Sequence, residues 1–392
     1  MTSLKNILAI SSILIMLLIS FSCKTSSFSN ENYLDKTSFK IPIIHLNKSS
    51  FENGFSRGKL LKDEIRENIN LWKTELSKKF KSNPDSIINK FLNHTNYLPS
   101  INKWTPELYK ELEGISKGAE IDFKTLFAFQ LIDEFWTHEE FLANHHCTSL
   151  AINNFKITGE ANYNAQTIDI PTYFHKNPVI LKISSNNSSK LIVTFAGYLG
   201  INGINQNISV TENSLTKLKY SENGLPVTFV SRGILECKNF NDAVSFVKRV
   251  KHASGQNYII SSNKNIISLE CSADVITEYW ANDNMLYTFH GNNPLTNKSF
   301  NEEYKNLLIA FYGGVPKEIT HSDPKLKTLE KYFSENNYYN KNSIKEILAS
   351  SSICNSTTFL TTIMELGESQ NRILILPKKS GLNEYFELSI EK

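Results

Sequence analysis

The stretch His145-His146-Cys147-Thr148-Ser149-Leu150-Ala151-Ile152 divides the chain into two textures. Before it the sequence is polar and reads mainly as helix; after it begins a series of strand-like runs, the first of which starts on a cysteine. Cleavage of the His146–Cys147 bond would leave a thiol and a free α-amine on one residue. An α-amine titrates near pKa ~7.7 and accepts a proton at neutral pH, whereas a thiol is still mostly protonated there. Such a residue contains its own nucleophile and its own base. One cysteine in a strand otherwise reads as a small buried hydrophobe, so the assignment depends on the rest of the chain.

Working back from Cys147, Asp122 is placed to cap a helix running through Leu126, Phe129, Ile132 and Asp133 towards Trp136. Thr105 and Pro106 open another, with Leu108, Leu112 and Ile115 on its buried stripe and Gly118 near its end. Leu61, Ile65, Ile69, Trp72 and Leu76 keep a helical period in a third. Only Ile43 to Leu46, after Pro42, reads as a strand, so residues 39–146 are expected to be mainly α. Working forward, the runs 148–152, 179–183, 191–196, 208–210, 258–260, 266–270, 285–289, 359–366, 372–376 and 385–390 are rich in β-branched and aromatic residues and read as strands. Helices are expected around Ala243, Val247 and Val250 and from Tyr304 to Phe311. Strands joined by turns, with helices in separate blocks, predict an α+β fold of antiparallel sheets covered by helices.

The bulk composition fits a soluble globular chain: 392 residues, 40% hydrophobic, 21% charged, net charge +3. Neither sign of charge runs on, so no nucleic-acid partner is expected. Lys5 followed by the apolar run Ile7–Ile19 reads as a targeting signal, too short for a comfortable span. Leu18-Ile19-Ser20-Phe21-Ser22-Cys23 resembles a bacterial lipoprotein signal, which implies lipidation of Cys23; ordinary cleavage ranks second and a retained anchor third. Residues 1–23 are then the signal and 24–38 a Ser-, Asn- and Lys-rich tether. The location expected is the bacterial cell envelope, on the membrane through a lipid anchor, with secretion or the periplasm as the alternative. Cys147, Cys237, Cys271 and Cys354 are too widely spaced for a zinc pattern.

Other constellations carry less. His138-Glu139-Glu140-Phe141-Leu142 opens like a zinc-protease helix, but Leu142 stands where the second histidine is required. His145 and His146 are adjacent and point apart, so they do not converge on one ion. Neither a metal nor an organic cofactor is expected. Asn162-Tyr163-Asn164 reads as a turn or as a strand returning beside Cys147. The glycines of Ala196–Asn205 suggest a tight turn with close backbone approach, and His290-Gly291-Asn292-Asn293-Pro294 suggests a turn after a strand.

Taken in order, Phe51–Gly58, Glu111–Ala119, Cys147-Thr148-Ser149, Ala196–Asn205 continuing to Asn213, Ser254–Tyr258 with Leu269–Ser272, and Ile353 through Leu366 resemble the isopenicillin N acyltransferase-like family, autoproteolytic cysteine members of the N-terminal-nucleophile (Ntn) hydrolases. The resemblance extends from about Phe51 to about Pro377. It implies a four-layer αββα Ntn-hydrolase sandwich of antiparallel sheets, with an α-helical leader (39–146) that stays bound to the catalytic core (147–392) after cleavage. It also implies Cys147 as nucleophile, its amine as base, and Asn213 and Asn292 as oxyanion donors. The acid that orients the amine falls at or near Asn164, an uncharged amide here. The family's arginine falls at Lys325, which keeps the charge without the planar fork. The activity implied is cleavage or transfer of an acyl group from a small N-acyl amide through a thioester. The two alternatives are a non-catalytic envelope binding protein, and a lipid amidase or phospholipase-like hydrolase.

Overall fold

The computed structural model describes residues 33–35, 41–139, 147–185, 188–315, 323–377 and 384–391. The signal run, Cys23, most of the tether and His146 lie outside them. Strands β1 (Tyr33–Asp35), β2 (Ile43–Leu46), β5 (Pro178–Ser185), β6 (Ser188–Phe195), β7 (Asn202–Asn205), β8 (Ile208–Ser214), β9 (Gln256–Ser262), β10 (Ile266–Cys271) and β11 (Ile276–Glu278) form one sheet, in the order β1-β2-β5-β6-β7-β8-β9-β10-β11. The second sheet has the order β12-β3-β4-β13-β14-β15, from β3 (Thr148–Ile152), β4 (Asn162–Asp169), β12 (Tyr287–His290), β13 (Thr358–Leu366), β14 (Gln370–Pro377) and β15 (Phe386–Glu391). Every pairing is antiparallel except β2 with β5, which is parallel. The fold is thus mixed α+β with two antiparallel-rich sheets, compatible with a sandwich.

Strand alternation explains how the sheets meet. On β4, Asn162 donates to the Ser262 carbonyl (2.9 Å), Asn164 to Ser209 Oγ (3.1 Å) and the Ile259 carbonyl (3.0 Å), and Gln166 to the Glu212 carbonyl. Asn202 bridges back to Gln166 and to Thr362 Oγ1, both at 2.9 Å. These amides form a polar seam between the sheets. Each net contribution is only about 1 kcal/mol, but an amide stranded there would cost more, so the seam fixes register. The opposite face of the second sheet is apolar: Leu150, Ile152, Tyr163, Ala165 and Phe289 pack with Leu326, Leu329 and Phe333 of the Pro324–Glu335 helix and with Ile344 and Leu348 of the Lys341–Ala349 helix.

Residues 50–139 supply seven of the described helices, and two of these meet backbone to backbone. In Ser50–Leu60 and Pro106–Ala119, a Cβ on Gly54 would lie 2.0 Å from the Glu111 carbonyl oxygen, and one on Gly114 would lie 2.2 Å from that of Phe51. Gly58 and Gly118 repeat the arrangement one turn on, at 2.4 and 2.1 Å. The two glycine pairs are the reason that these helices touch, and the contact buries Arg57 beside Glu111.

One expectation is revised and one alternative is decided. The helix capped by Asp122, whose carboxylate does accept from Thr125 N (2.9 Å), is split into Phe123–Phe129 and Ile132–Glu139. Gln130 sits at the break, its side chain bonding the Gly197 carbonyl and Leu199 N, both at 2.8 Å. Of the two readings of Asn162–Asn164, the strand is the one the structure has, as the start of β4.

Candidate active site

Cys147 stands immediately before β3, half-buried, with its thiol against the backbone of Asp169: the Asp169 N–H lies 3.4 Å and its carbonyl oxygen 3.5 Å from Sγ. It lines a pocket of about 550 Å³, opening included, with Ile132, Asp133, Ile168, Phe174, Tyr198 and Glu212 among the other walls. Burial first, and the Asp169 charge second, push the thiol up to about 12. Within an uncut chain this sulfur is therefore a thiol and needs a base to become a nucleophile.

The acidic side chain beside Cys147 is Asp169, at the end of β4. Its Oδ2 receives Lys325 Nζ at 2.5 Å and Asn355 Nδ2 at 3.1 Å; its Oδ1 is buried with no hydrogen-bond partner among the described residues. Asn164, five residues earlier, does not line the pocket. It is locked in the seam, donating to Ser209 and Ile259 and accepting from Thr211 Oγ1 at 3.0 Å. The structure thus places Asn164 away from the thiol, while a carboxylate, Asp169, lies beside the thiol on the same strand.

Of the three other expected residues, one contacts Cys147 itself and two contact its neighbours. Asn213 Nδ2 donates to the Cys147 carbonyl at 3.1 Å, because Ser209, Thr211 and Asn213 alternate along β8 on the face turned to the second sheet. Asn292 Nδ2 donates to the carbonyl of Ser214, the next residue, at 2.9 Å. The loop that carries Asn292 is gathered by the buried Glu270 carboxylate, which accepts from Leu295 N (2.6 Å), Thr296 N (3.0 Å) and Asn297 N (2.6 Å) and meets His290 Nε2 at 2.7 Å. Lys325 reaches the site through Asp169. The side chains that sequence reasoning missed are Asp169, Asp133, Glu212, Gln166 and Tyr198.

The pocket's aromatic wall is held from the N-terminal segment. The Ala196–Gly200 turn, which follows Phe195 and carries Tyr198, has its carbonyls taken in succession by Asn68 (Ala196, 2.9 Å), Gln130 (Gly197), Arg57 (Tyr198), Arg232 (Leu199, 2.7 Å) and Thr228 (Gly200, 2.9 Å). Glu111 pairs with both guanidiniums, at 3.4 Å to Arg57 and 2.7 Å to Arg232. Burial alone would raise its carboxyl; the two positive charges outweigh that and hold it below the ordinary value.

A thiol at the head of a strand, a buried carboxylate paired with a lysine and an amide donating to the cysteine's own carbonyl make up a class of site suited to acyl transfer. Residues 160–342 match the family described as acyl-coenzyme A:6-aminopenicillanic acid acyl-transferase. The match contains Asp169, Asn213, Asn292 and Lys325; Cys147 lies upstream of it. No curated protein matches the chain. The family match supports an acyltransferase or Ntn-hydrolase type of function.

Proposed function

We propose that the chain is an autoproteolytic cysteine Ntn hydrolase, a four-layer αββα sandwich, which cleaves or transfers the acyl group of a small N-acyl amide through a thioester on Cys147. The observation that carries this reading is the buried Oδ1 of Asp169, an unused acceptor beside the nucleophile. It suits the α-amine that cleavage would create.

In maturation, the Cys147 thiol adds to the His146 carbonyl. The C–N bond breaks, the nitrogen takes the thiol proton, and a thioester links His146 to Sγ. Water then adds, the C–S bond breaks, and the products are a His146 carboxylate, the free thiol and the Cys147 α-amine. In turnover, that amine takes the thiol proton while sulfur adds to the substrate carbonyl. The leaving amine departs with the proton, and water or a second amine resolves the thioester. Asp169 orients the α-amine and Lys325 holds Asp169; Asn213 and Asn292 each retain a second N–H for the oxyanion. A lipid anchor on Cys23 would place the enzyme at the cell envelope; among the described residues no helix is long and apolar enough to cross a membrane.

The test is the intact mass of the protein lacking residues 1–23, beside a Cys147→Ala control. Two fragments meeting at His146 and Cys147, absent in the control, are expected, with hydrolysis of N-acyl amides only in the cleaved protein. A chain that stays whole across a range of pH overturns the mechanism and favours a binding protein.

A further inference from the structure

Five carboxylates are buried among the described residues: Glu111, Glu134, Asp169, Glu212 and Glu270. Glu111 has Arg57 and Arg232, Asp169 has Lys325, and Glu270 has His290. Glu134 and Glu212 have no cationic partner among the described residues, and neither has the partly buried Asp133 beside them. Asp133 and Glu212 both line the Cys147 pocket.

Their hydrogen bonds leave acceptors unused. Asp133 Oδ2 accepts from Ser214 Oγ (3.1 Å) and Gln256 Nε2 (3.3 Å), and Glu212 Oε2 accepts from Ser231 Oγ. Asp133 Oδ1 and Glu212 Oε1 take no part in these hydrogen bonds. The aromatic wall beside them is stacked, Phe174 on Phe195 at 5.0 Å and Phe195 on Tyr198 at 4.8 Å between ring centres. Carboxylates with open acceptors next to aromatic faces are the chemistry that receives an organic cation. A metal ion fits less well, since no group of three His, Cys, Asp or Glu among the described residues is arranged to hold one.

We propose that the Cys147 pocket selects substrates that carry an ammonium group on a short apolar stem, the ammonium held by Asp133 and Glu212 while the scissile amide lies at the thiol. This rests on reading the Cys147 pocket as the substrate pocket. It has a signature in pH. Burial raises the Asp133 carboxyl to about 6, that of Glu134 to about 7 and that of Glu212 well above its ordinary value. The other titratable groups around them include Cys147, the Asp169–Lys325 pair, Tyr97, Tyr198 and Tyr258. An ammonium draws out the ionised forms, so binding releases protons and tightens as pH rises through about 6.

The experiment is calorimetric titration of the purified protein with 2-phenylethylammonium chloride and with the neutral 2-phenylethanol, in buffers of different ionisation enthalpy. The ammonium is expected to bind at least about tenfold more tightly and to release protons, as befits a charge-assisted contact. Asp133→Asn and Glu212→Gln are each expected to reduce that preference about tenfold while circular dichroism shows a native fold. Equal affinity for alcohol and ammonium, or a preference that survives in both variants, overturns the proposal. Binding is read without turnover, so the two readings fail separately. An uncut, inactive chain that still prefers the ammonium would remove the hydrolase and keep the pocket; an active enzyme indifferent to charge would do the reverse.

Discussion

At the scale of single residues, the Asp169–Lys325 pair is the most exposed to test. Lys325→Ala would leave a carboxylate that is 1% exposed with one amide for company, at a cost of roughly 3–5 kcal/mol in denaturant unfolding. Lys325→Arg, which keeps the charge, should recover much of that stability. Asn213→Ala should lower turnover by about two to three orders of magnitude if its amide stabilises the oxyanion, and by stranding the Cys147 carbonyl should cost about 1–3 kcal/mol of stability as well. Glu134 gives a pH signature of its own. Its folded carboxyl titrates at about 7 against an ordinary 4.5, so between those values the native state holds the extra proton. Stability should therefore fall as pH rises across that window, by on the order of 3 kcal/mol, and Glu134→Gln should flatten the slope in melts at stepped pH. The sequence brought Cys147, Asn213, Asn292 and Lys325 forward as candidates because each sits in or near a motif of the resemblance. Asp169 was not, although it is the sole charged residue between Ala161 and Ile170. Counting from the motif settled on Asn164, whereas only the strand's pairing brings position 169 back against Cys147.

At the scale of elements, the glycine contact between Ser50–Leu60 and Pro106–Ala119 leaves no room for a methyl group. Gly54→Ala or Gly114→Ala would drive a Cβ into a carbonyl of the facing helix, which must move rather than repack. A loss of about 3 kcal/mol is expected by chemical denaturation, near the upper end for overpacking. The Glu111 pairs should weaken with it, since the same contact sets their approach. The sequence presented both glycine blocks as motifs, but a motif does not say which partner it faces. The Gln130 break was hidden for a similar reason. Residues 123 to 136 keep a helical period throughout, and what interrupts the helix is the Gly197 turn, which the side chain reaches across 67 positions.

At the scale of the whole molecule, the change of texture at Cys147 announced helices before and strands after, and the two antiparallel-rich sheets agree with it. What it concealed is that β2, from the earlier segment, joins the larger sheet in parallel beside β5. Parallel pairing needs a long crossover, and periodicity within a four-residue run carries no trace of it. The polar seam was equally hard to foresee, because Asn202 read as a turn residue and Asn162 and Asn164 fitted turn or strand alike until strands from distant positions meet them. Consider, finally, the turn at Ala196–Gly200, whose carbonyls are gripped by Asn68, Gln130 and Arg57 from one side of position 147 and by Thr228 and Arg232 from the other. A cut at that position would leave two polypeptides sharing one binding cavity, so the mature enzyme would behave as a split protein. Expressed as separate fragments, neither half alone should bind substrate; function would return only on complementation and would fade on dilution below the dissociation constant of the halves.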